Sequence, residues 1–402
     1  MPPSPPPPDA AELLAALVRA PSVTPDAGPA LDVLQAALER AGFEVHRPAF
    51  SAPGTPDVEN LFAAIGMGGP HLTLAGHVDV VPPGSPEAWR HDPFGAVVEE
   101  GVLYGRGAVD MKGGVAAMAA AALGFVGRHG RDFGGRLSLL VTGDEEGPAV
   151  NGTAKLLEWA QARGERFDAA LVGEPTSREA LGDQIKIGRR GSFSARLIIE
   201  GRQGHAAYPH LADNPVRGLV TLLEALLAEP LDKGSEAFEP STLEVVSVDV
   251  GNPAWNVIAG RAEARLNSRY NDLWTGPRLR AELERRLAAA AEDRRLRPGA
   301  DGPVRWRLIE EPSPSEVFLT GDEHLIAVVT QAVEQVTGRR PAPSTGGGTS
   351  DARFIKDYCP VIELGLVGTT MHQVDERVPL AEVEELARIY EAFLDIWFGA
   401  AQ

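Results

Sequence analysis

A chain of 402 residues with 44% hydrophobic content is larger than one core usually serves, so two domains are expected. The formal net charge of -18 repels phosphate backbones and anionic membrane surfaces, which sets nucleic acid and membranes aside as partners. A single cysteine, Cys359, excludes an intrachain disulfide and a cysteine-rich metal site and fits a reducing, cytoplasmic setting.

The opening MPPSPPPPDA has neither the basic start nor the apolar segment of a secretory signal, and its prolines favour extended backbone, so a frayed tail is expected. Residues 9–20 and 30–41 space Leu, Val and Ala at helical intervals, and the glycine of ERAGF stops the second helix before the extended FEVHRPAF. Strand-like runs recur in NLFAAIG, HLTLAGHVD, RLSLLVTGDEE, FDAALVGEP and CPVIELGLVG, with helical segments near 112–127, 151–163 and 322–338. Such alternation predicts an α/β fold with a mostly parallel sheet. GGVAAMAAAALGFVG is short for a membrane span and interrupted by glycine, so it predicts a buried helix.

From about residue 190 to about 310 the order becomes strand, helix, strand, strand, helix, strand, the βαββαβ pattern of a ferredoxin-like unit. The expected organisation is a catalytic domain over 9–189 and 311–402, interrupted by an inserted domain at 190–310. KIGRRGS and EEPSPSE look like its two hinge crossings.

In open α/β sheets, functional groups gather on the loops beyond the carboxyl ends of strands. Those loops carry His77 and Asp79, Asp110, Glu145 and Glu146, Glu174, and His372. Singly, each suits a helix cap or a solvated acid. Converging from five loops, they make a cluster of negative charge that is costly without cations. Two imidazoles with several carboxylates suit zinc, with cobalt or manganese as alternatives. Asp79, two residues past His77, is expected to accept the hydrogen bond from the non-ligating imidazole nitrogen. The adjacent acids Glu145 and Glu146 suggest that one binds metal while the other takes a proton from water. STGGGTSD lacks the Lys-Ser or Lys-Thr of a P-loop, and GRGAVDMKG puts Asp110 where a dinucleotide fingerprint needs its third glycine, so both are set aside.

The motifs GHVDVVPPG, LYGRGAVDMKGG, DEEG, GEPT, IKIGRRGS, GHAAYPHLADNP, GGGTSDARFI and ELGLVGTTMHQVDERV succeed one another across roughly residues 22–395. Together they resemble the di-zinc metallohydrolases of the M20 family, most closely its desuccinylase branch. The resemblance implies two zinc ions per subunit, one on His77, Asp110 and Glu174 and the other on Asp110, Glu146 and His372, with Asp110 bridging. It implies Glu145 as general base and Asp79 as the residue that orients His77. His205, in the inserted domain, is implied to stabilise the oxyanion from a partner subunit, which makes the protein a homodimer and the insertion a dimerisation and lid domain. Arg189 and Arg269 are the guanidinium candidates for substrate carboxylates, and Ser192, Tyr208, Asn256, Gly348 and Thr349 complete the implied pocket.

The implied reaction is hydrolysis of the succinyl amide of N-succinyl-LL-2,6-diaminopimelate in lysine and diaminopimelate synthesis. A related N-acyl amino acid deacylase, such as one acting on acetylornithine, is the first alternative, and a non-catalytic binding protein on the same scaffold is the second. The sequence departs from the branch at Gly368, where an asparagine is common before the second metal-binding histidine.

Overall fold

The computed structural model describes residues 8–297, 302–311 and 315–399. The proline tail at 1–7 and the centre of the expected EEPSPSE crossing lie outside the described residues. The chain divides into two compact units: the first holds the residues up to Gly188, Leu319–Ser344 and those from Ser350 on, and the second holds Arg189–Phe318 and Thr345–Thr349.

The chain opens with helix α1 (Ala10–Arg19), N-capped by the side chain of Asp9, and α2 (Gly28–Arg40), which has proline in its first turn. Strands β1 (Glu44–His46), β2 (Leu61–Gly66) and β3 (His71–His77) come next, then helix α3 (Lys112–His129), strand β4 (Arg136–Thr142), helix α4 (Thr153–Ala162) and strands β5 (Ala169–Val172) and β6 (Gln184–Lys186). The second unit is built from β7 (Gly191–Glu200), α5 (Pro215–Leu227), β8 (Thr242–Asp249), β9 (Arg261–Tyr270), α6 (Gly276–Ala291) and β10 (Arg305–Glu310). The first unit resumes with α7 (Glu323–Thr337), β11 (Ala342–Ser344), β12 (Val361–Glu363) and α8 (Leu380–Trp397).

In the first unit the strand order is β1-β2-β4-β3-β5-β12-β6-β11. The centre, β4-β3-β5-β12, is parallel throughout, which is the expected mostly parallel α/β sheet. Every residue of β3 is buried, as a strand covered on both faces requires, and this accounts for its largely apolar interior. Register then aligns the strand ends: His77 pairs with Thr142, Ala75 with Val172, and Val172 with Glu363. The loops that begin just past these residues therefore leave the sheet along one edge.

Helix α3 is buried around its circumference from Lys112 to Ala119 and carries glycine and alanine where a surface helix carries polar residues. A Cβ at Gly114 would overlap the main-chain oxygen of Gly173, so only glycine lets the start of α3 sit on the end of β5. Leu14, Leu17, Leu31 and Leu34, from α1 and α2, are fully buried in the same core, each contributing about 1.5–3 kcal/mol. No helix among the described residues is long and apolar enough to cross a membrane.

The second unit's sheet runs β8-β9-β7-β10 and is antiparallel throughout. Phe193, Ala195, Leu197 and Ile199 alternate onto the face covered by Leu219, Leu222 and Leu226 of α5 and Leu279, Leu283 and Leu287 of α6. The intervening Ser192, Ser194 and Arg196 pair in register with Arg269, Asn267 and Arg265 on the opposite face.

Candidate metal centre

All of the residues expected to ligate metal lie in the first unit, and the fold brings them together. His77 is the last residue of β3; Glu145 and Glu146 lie just past β4, Glu174 just past β5, and His372 on the loop after β12. Asp110 comes from elsewhere than expected. The VLY segment before it, Val102–Tyr104, belongs to a small separate sheet with Val97–Glu99 and Arg377–Pro379, and Asp110 stands on the turn into α3.

The ligand atoms of His77, Asp110 and Glu174 lie within 4.8 Å of one another, as do those of Asp110, Glu146 and His372. His77 Nε2 is 3.3 Å from Asp110 Oδ1 and 3.8 Å from Glu174 Oε1. His372 Nε2 is 3.2 Å from Asp110 Oδ2 and 2.7 Å from Glu146 Oε1. Each oxygen of Asp110 therefore faces a different histidine, the arrangement of a carboxylate shared by two cation positions.

The expected bond between His77 and the Asp79 carboxylate is not the one that forms. His77 Nδ1 donates to the main-chain carbonyl of Asp79 at 2.9 Å, while the carboxylate oxygen stands 3.6 Å away. The Asp79 carboxylate instead accepts the N–H groups of Glu145, at 3.2 Å, and Glu146, at 3.0 Å. Beyond the strand end the chain turns, so the carbonyl reaches the imidazole first, and the side chain is free to fix the neighbouring acidic loop. Either way Nδ1 is occupied, and Nε2 is the nitrogen turned toward Asp110 and Glu174.

The electrostatics test whether this cluster fits a cation. Burial pulls the His77 imidazole down, but its contact with Asp110 and the charges of Glu145, Glu174 and Asp79 hold its pKa well above the ordinary value. His372 is raised to about 10 by its hydrogen bonds to Asp110 and Glu146. Glu145 is pushed up to about 8, first by burial and then by the carboxylates of Asp351, Glu146 and Asp79, against the pull of His77. The cluster thus gathers protons wherever it can to offset its own negative charge. His77 Nε2, buried and without a hydrogen-bond partner, points among the carboxylate oxygens. An all-nitrogen and oxygen donor set of this kind fits divalent cations such as zinc, cobalt or manganese.

Three buried acids around the site have no role that the sequence reveals. Asp144 accepts the N–H groups of Ala149, Val150 and Asn151 and so shapes the loop that carries Glu145 and Glu146. Asp351 accepts the Thr153 hydroxyl at 2.6 Å and adds its charge to the surroundings of Glu145. Glu376 binds the turn that carries Asp110. Asp144 and Glu376 sit inside the DEEG and HQVDERV stretches that also carry metal ligands, yet an acid in a polar loop looks solvated until its partners are known.

The residues expected to bind substrate and the oxyanion, Arg189, Ser192, His205, Tyr208, Asn256, Arg269, Gly348 and Thr349, all lie in the second unit. They fall into two groups. Ser192 and Arg269 are register partners, and Arg189 Nη1 donates to the Gly348 carbonyl at 3.0 Å. His205 belongs to a small two-stranded sheet, Gly204–His205 against Val257–Ile258, beside which Ala206 N donates to Asn256 O and Tyr208 N donates to His205 O, both at 2.9 Å. His205, Tyr208 and Asn256 are all exposed. The ten residues of β7 separate the groups, with Ser192 near its start and the two-stranded sheet past its end. At about 3.3 Å per residue that is about 30 Å.

Comparison with known proteins agrees with this geometry. Residues 73–396 match the model of Peptidase family M20/M25/M40. The chain is 60% identical over 385 residues to a succinyl-diaminopimelate desuccinylase from Methylobacterium sp. (strain 4-46), covering 96% of this chain and 95% of that protein. Among solved structures it is similar in fold to an M20 family metallo-carboxypeptidase from Sulfolobus solfataricus, with a TM-score of 0.77 at 17% identity over 97% of this chain and 99% of that one. It is also similar to a Bacillus subtilis dinuclear metal-binding peptidase of the M20 family, with a TM-score of 0.66 at 15% identity over 96% and 97% of the two chains. A family match over most of the length, on a chain whose fold gathers two histidine-carboxylate groups that share Asp110, means that this protein belongs to the M20/M25/M40 peptidase family.

Proposed function

We propose that the chain is a dinuclear zinc amide hydrolase that converts N-succinyl-LL-2,6-diaminopimelate and water to succinate and LL-2,6-diaminopimelate, as a cytoplasmic enzyme of lysine and diaminopimelate synthesis. The observation that carries the hydrolytic part is the pair of ligand groups sharing Asp110, with Glu145 beside them. The choice of substrate is supported by the 60% identical desuccinylase, which matches nearly end to end.

His77, Asp110 and Glu174 would hold one zinc ion, and Asp110, Glu146 and His372 the other. When bound, the ions supply a Lewis acid for the amide carbonyl and lower the pKa of water. Glu145 takes the proton of the attacking water and hands it to the leaving amine, a task suited to a carboxyl whose proton affinity burial has raised. Asp79 keeps that acid in place through the N–H groups of Glu145 and Glu146, and its carbonyl keeps His77 in the ligating orientation. Arg189 and Arg269, with Ser192, Gly348 and Thr349, receive substrate carboxylates at one end of the second unit's sheet.

His205 steadies the oxyanion, and with Tyr208 and Asn256 it acts from the partner subunit of a homodimer. The separation along β7 supports this, because one small substrate cannot touch both ends of that strand. The inserted segment, residues 190–310, serves as the dimerisation and lid domain, and its strand order with two helices on one face supports the ferredoxin-like reading.

A deacylase of related N-acyl amino acids is the second reading, favoured by Gly368. A Cβ there would overlap Met371 Cε, so the Met371 side chain fills the space that an asparagine would take. Zinc-loaded protein assayed side by side on succinyl-diaminopimelate and acetylornithine decides between them; faster turnover of acetylornithine overturns the desuccinylase assignment. In the same assay Glu145→Ala is expected to lower kcat by about 100-fold or more with zinc content unchanged. Undiminished turnover would remove the proposed mechanism.

A further inference from the structure

Glu376 stands four residues beyond His372 and is fully buried. Both of its oxygens are doubly engaged. Oε1 accepts the N–H groups of Val109, at 2.9 Å, and Asp110, at 3.1 Å. Oε2 accepts the N–H of Gly107, at 3.0 Å, and Nη1 of Arg106, at 2.8 Å. Arg106, also buried, donates from the same nitrogen to the main-chain carbonyl of Gln373 at 3.2 Å, and its guanidinium lies over the Trp89 ring at 5.1 Å. Main chain closes the same junction, with Gly105 N donating to Glu376 O at 2.9 Å.

One carboxylate and one guanidinium thus tie the turn carrying Asp110 to the loop carrying His372. These are the two ligands that most need it. His77 ends a strand of the main sheet and Glu174 lies just past another, whereas Asp110 precedes a helix and His372 lies well along the loop that leaves β12. His372 also has a φ of 60°, a conformation that a non-glycine residue keeps only where its surroundings enforce it. A buried ion pair is a poor way to gain stability, since a well-packed apolar pair of the same volume usually does as well or better. Its use here calls for another explanation.

We infer that Glu376, with Arg106 as its partner, is a positioning residue that sets Asp110 and His372 as a pair and so supports the cation held by Asp110, Glu146 and His372 more than the other. The inference rests on the dinuclear reading proposed above. Replacing the carboxylate by an amide puts an NH2 group against main-chain donors, which breaks the clamp with almost no change in volume.

Chelator-stripped protein titrated with cobalt, followed by its visible absorption, tests this in wild type, Glu376→Gln and Arg106→Lys. Wild type is expected to take up two equivalents. In each variant one equivalent keeps its affinity within about threefold while the other weakens by about 10–100-fold, the usual effect of losing a residue that orients a ligand. Equal weakening of both equivalents, or unchanged affinities with only a lowered melting temperature, overturns the inference and leaves Glu376 a structural residue. Wild type that takes up no cobalt removes the dinuclear reading, and this inference with it. Should Glu376→Gln not fold, Arg106→Lys decides alone, because lysine keeps a charge near Glu376 but lacks the planar guanidinium that lies over Trp89 and aims Nη1 at both Glu376 and Gln373.

Discussion

His71 and His77 occupy the two ends of one buried strand, and their surroundings drive them in opposite directions. Burial pulls the His77 pKa down, yet the carboxylates around it raise it well above the ordinary value. His71 packs against Phe167, with ring centroids 4.8 Å apart, and its Nε2 lies 2.9 Å from the Ser138 hydroxyl. Burial lowers its pKa from 6.5 to about 4, although Glu165 pulls the other way. Between those two values the unfolded chain binds a proton that the folded chain refuses, so unfolding is favoured as pH falls. His71 therefore contributes full stability above pH 6.5 and loses it as pH drops toward about 4, by about 3 kcal/mol in total. Urea midpoints at pH 7 and pH 4.5 check this: wild type is expected to lose more than His71→Gln over that interval. Acid affects the metal ligands of both proteins alike, so equal losses would mean that His71 is not titrating as described.

Among the elements, α3 shows how tightly packing and site are joined. Its first turn lies on the end of β5, and a methyl group at Gly114 would meet the oxygen of Gly173, a main-chain atom with no freedom to rotate away. Gly114→Ala is expected to cost about 1–3 kcal/mol and to move Asp110 away from Glu174, so both melting temperature and metal affinity should fall. Gly127→Ala, on an exposed part of the same helix with nothing within 4 Å of the added atom, should leave affinity unchanged and raise stability by up to about 1 kcal/mol. Matching behaviour of the two variants would show that close approach at Gly114 does not matter. The elements that place the site are legible in the sequence, because β3, β4 and β5 are largely apolar runs followed abruptly by acids and histidine. The illegible part depends on contacts between distant segments. Arg106 and Glu376 are 270 positions apart, and nothing local distinguishes their buried pair from two solvated charges. The bond from His77 to the Asp79 carbonyl is equally hidden, since residue types do not reveal where a main-chain oxygen points after a strand ends.

At the scale of the molecule, a net charge of -18 opposes the approach of the anionic substrate proposed above, so on that reading recognition falls to a few guanidinium groups placed against the general field. Arg189 and Arg269 stand at one end of the second unit's sheet, and His205 and Asn256 stand at the two-stranded sheet past the other end of β7. About 30 Å of strand separates them. A site that uses both groups has to draw them from two chains, which a two-fold dimer does twice over. Mixing two crippled chains puts this to the test. In a dimer of one His205→Ala chain and one Glu145→Ala chain, the first supplies an intact Glu145 and receives His205 from the second, so one of its two sites is whole. Random reassociation makes about half of the dimers mixed, and activity should return to about a quarter of the wild-type level. If His205 instead serves the site of its own chain, no combination restores an intact site, and the mixture will be no more active than its separate components.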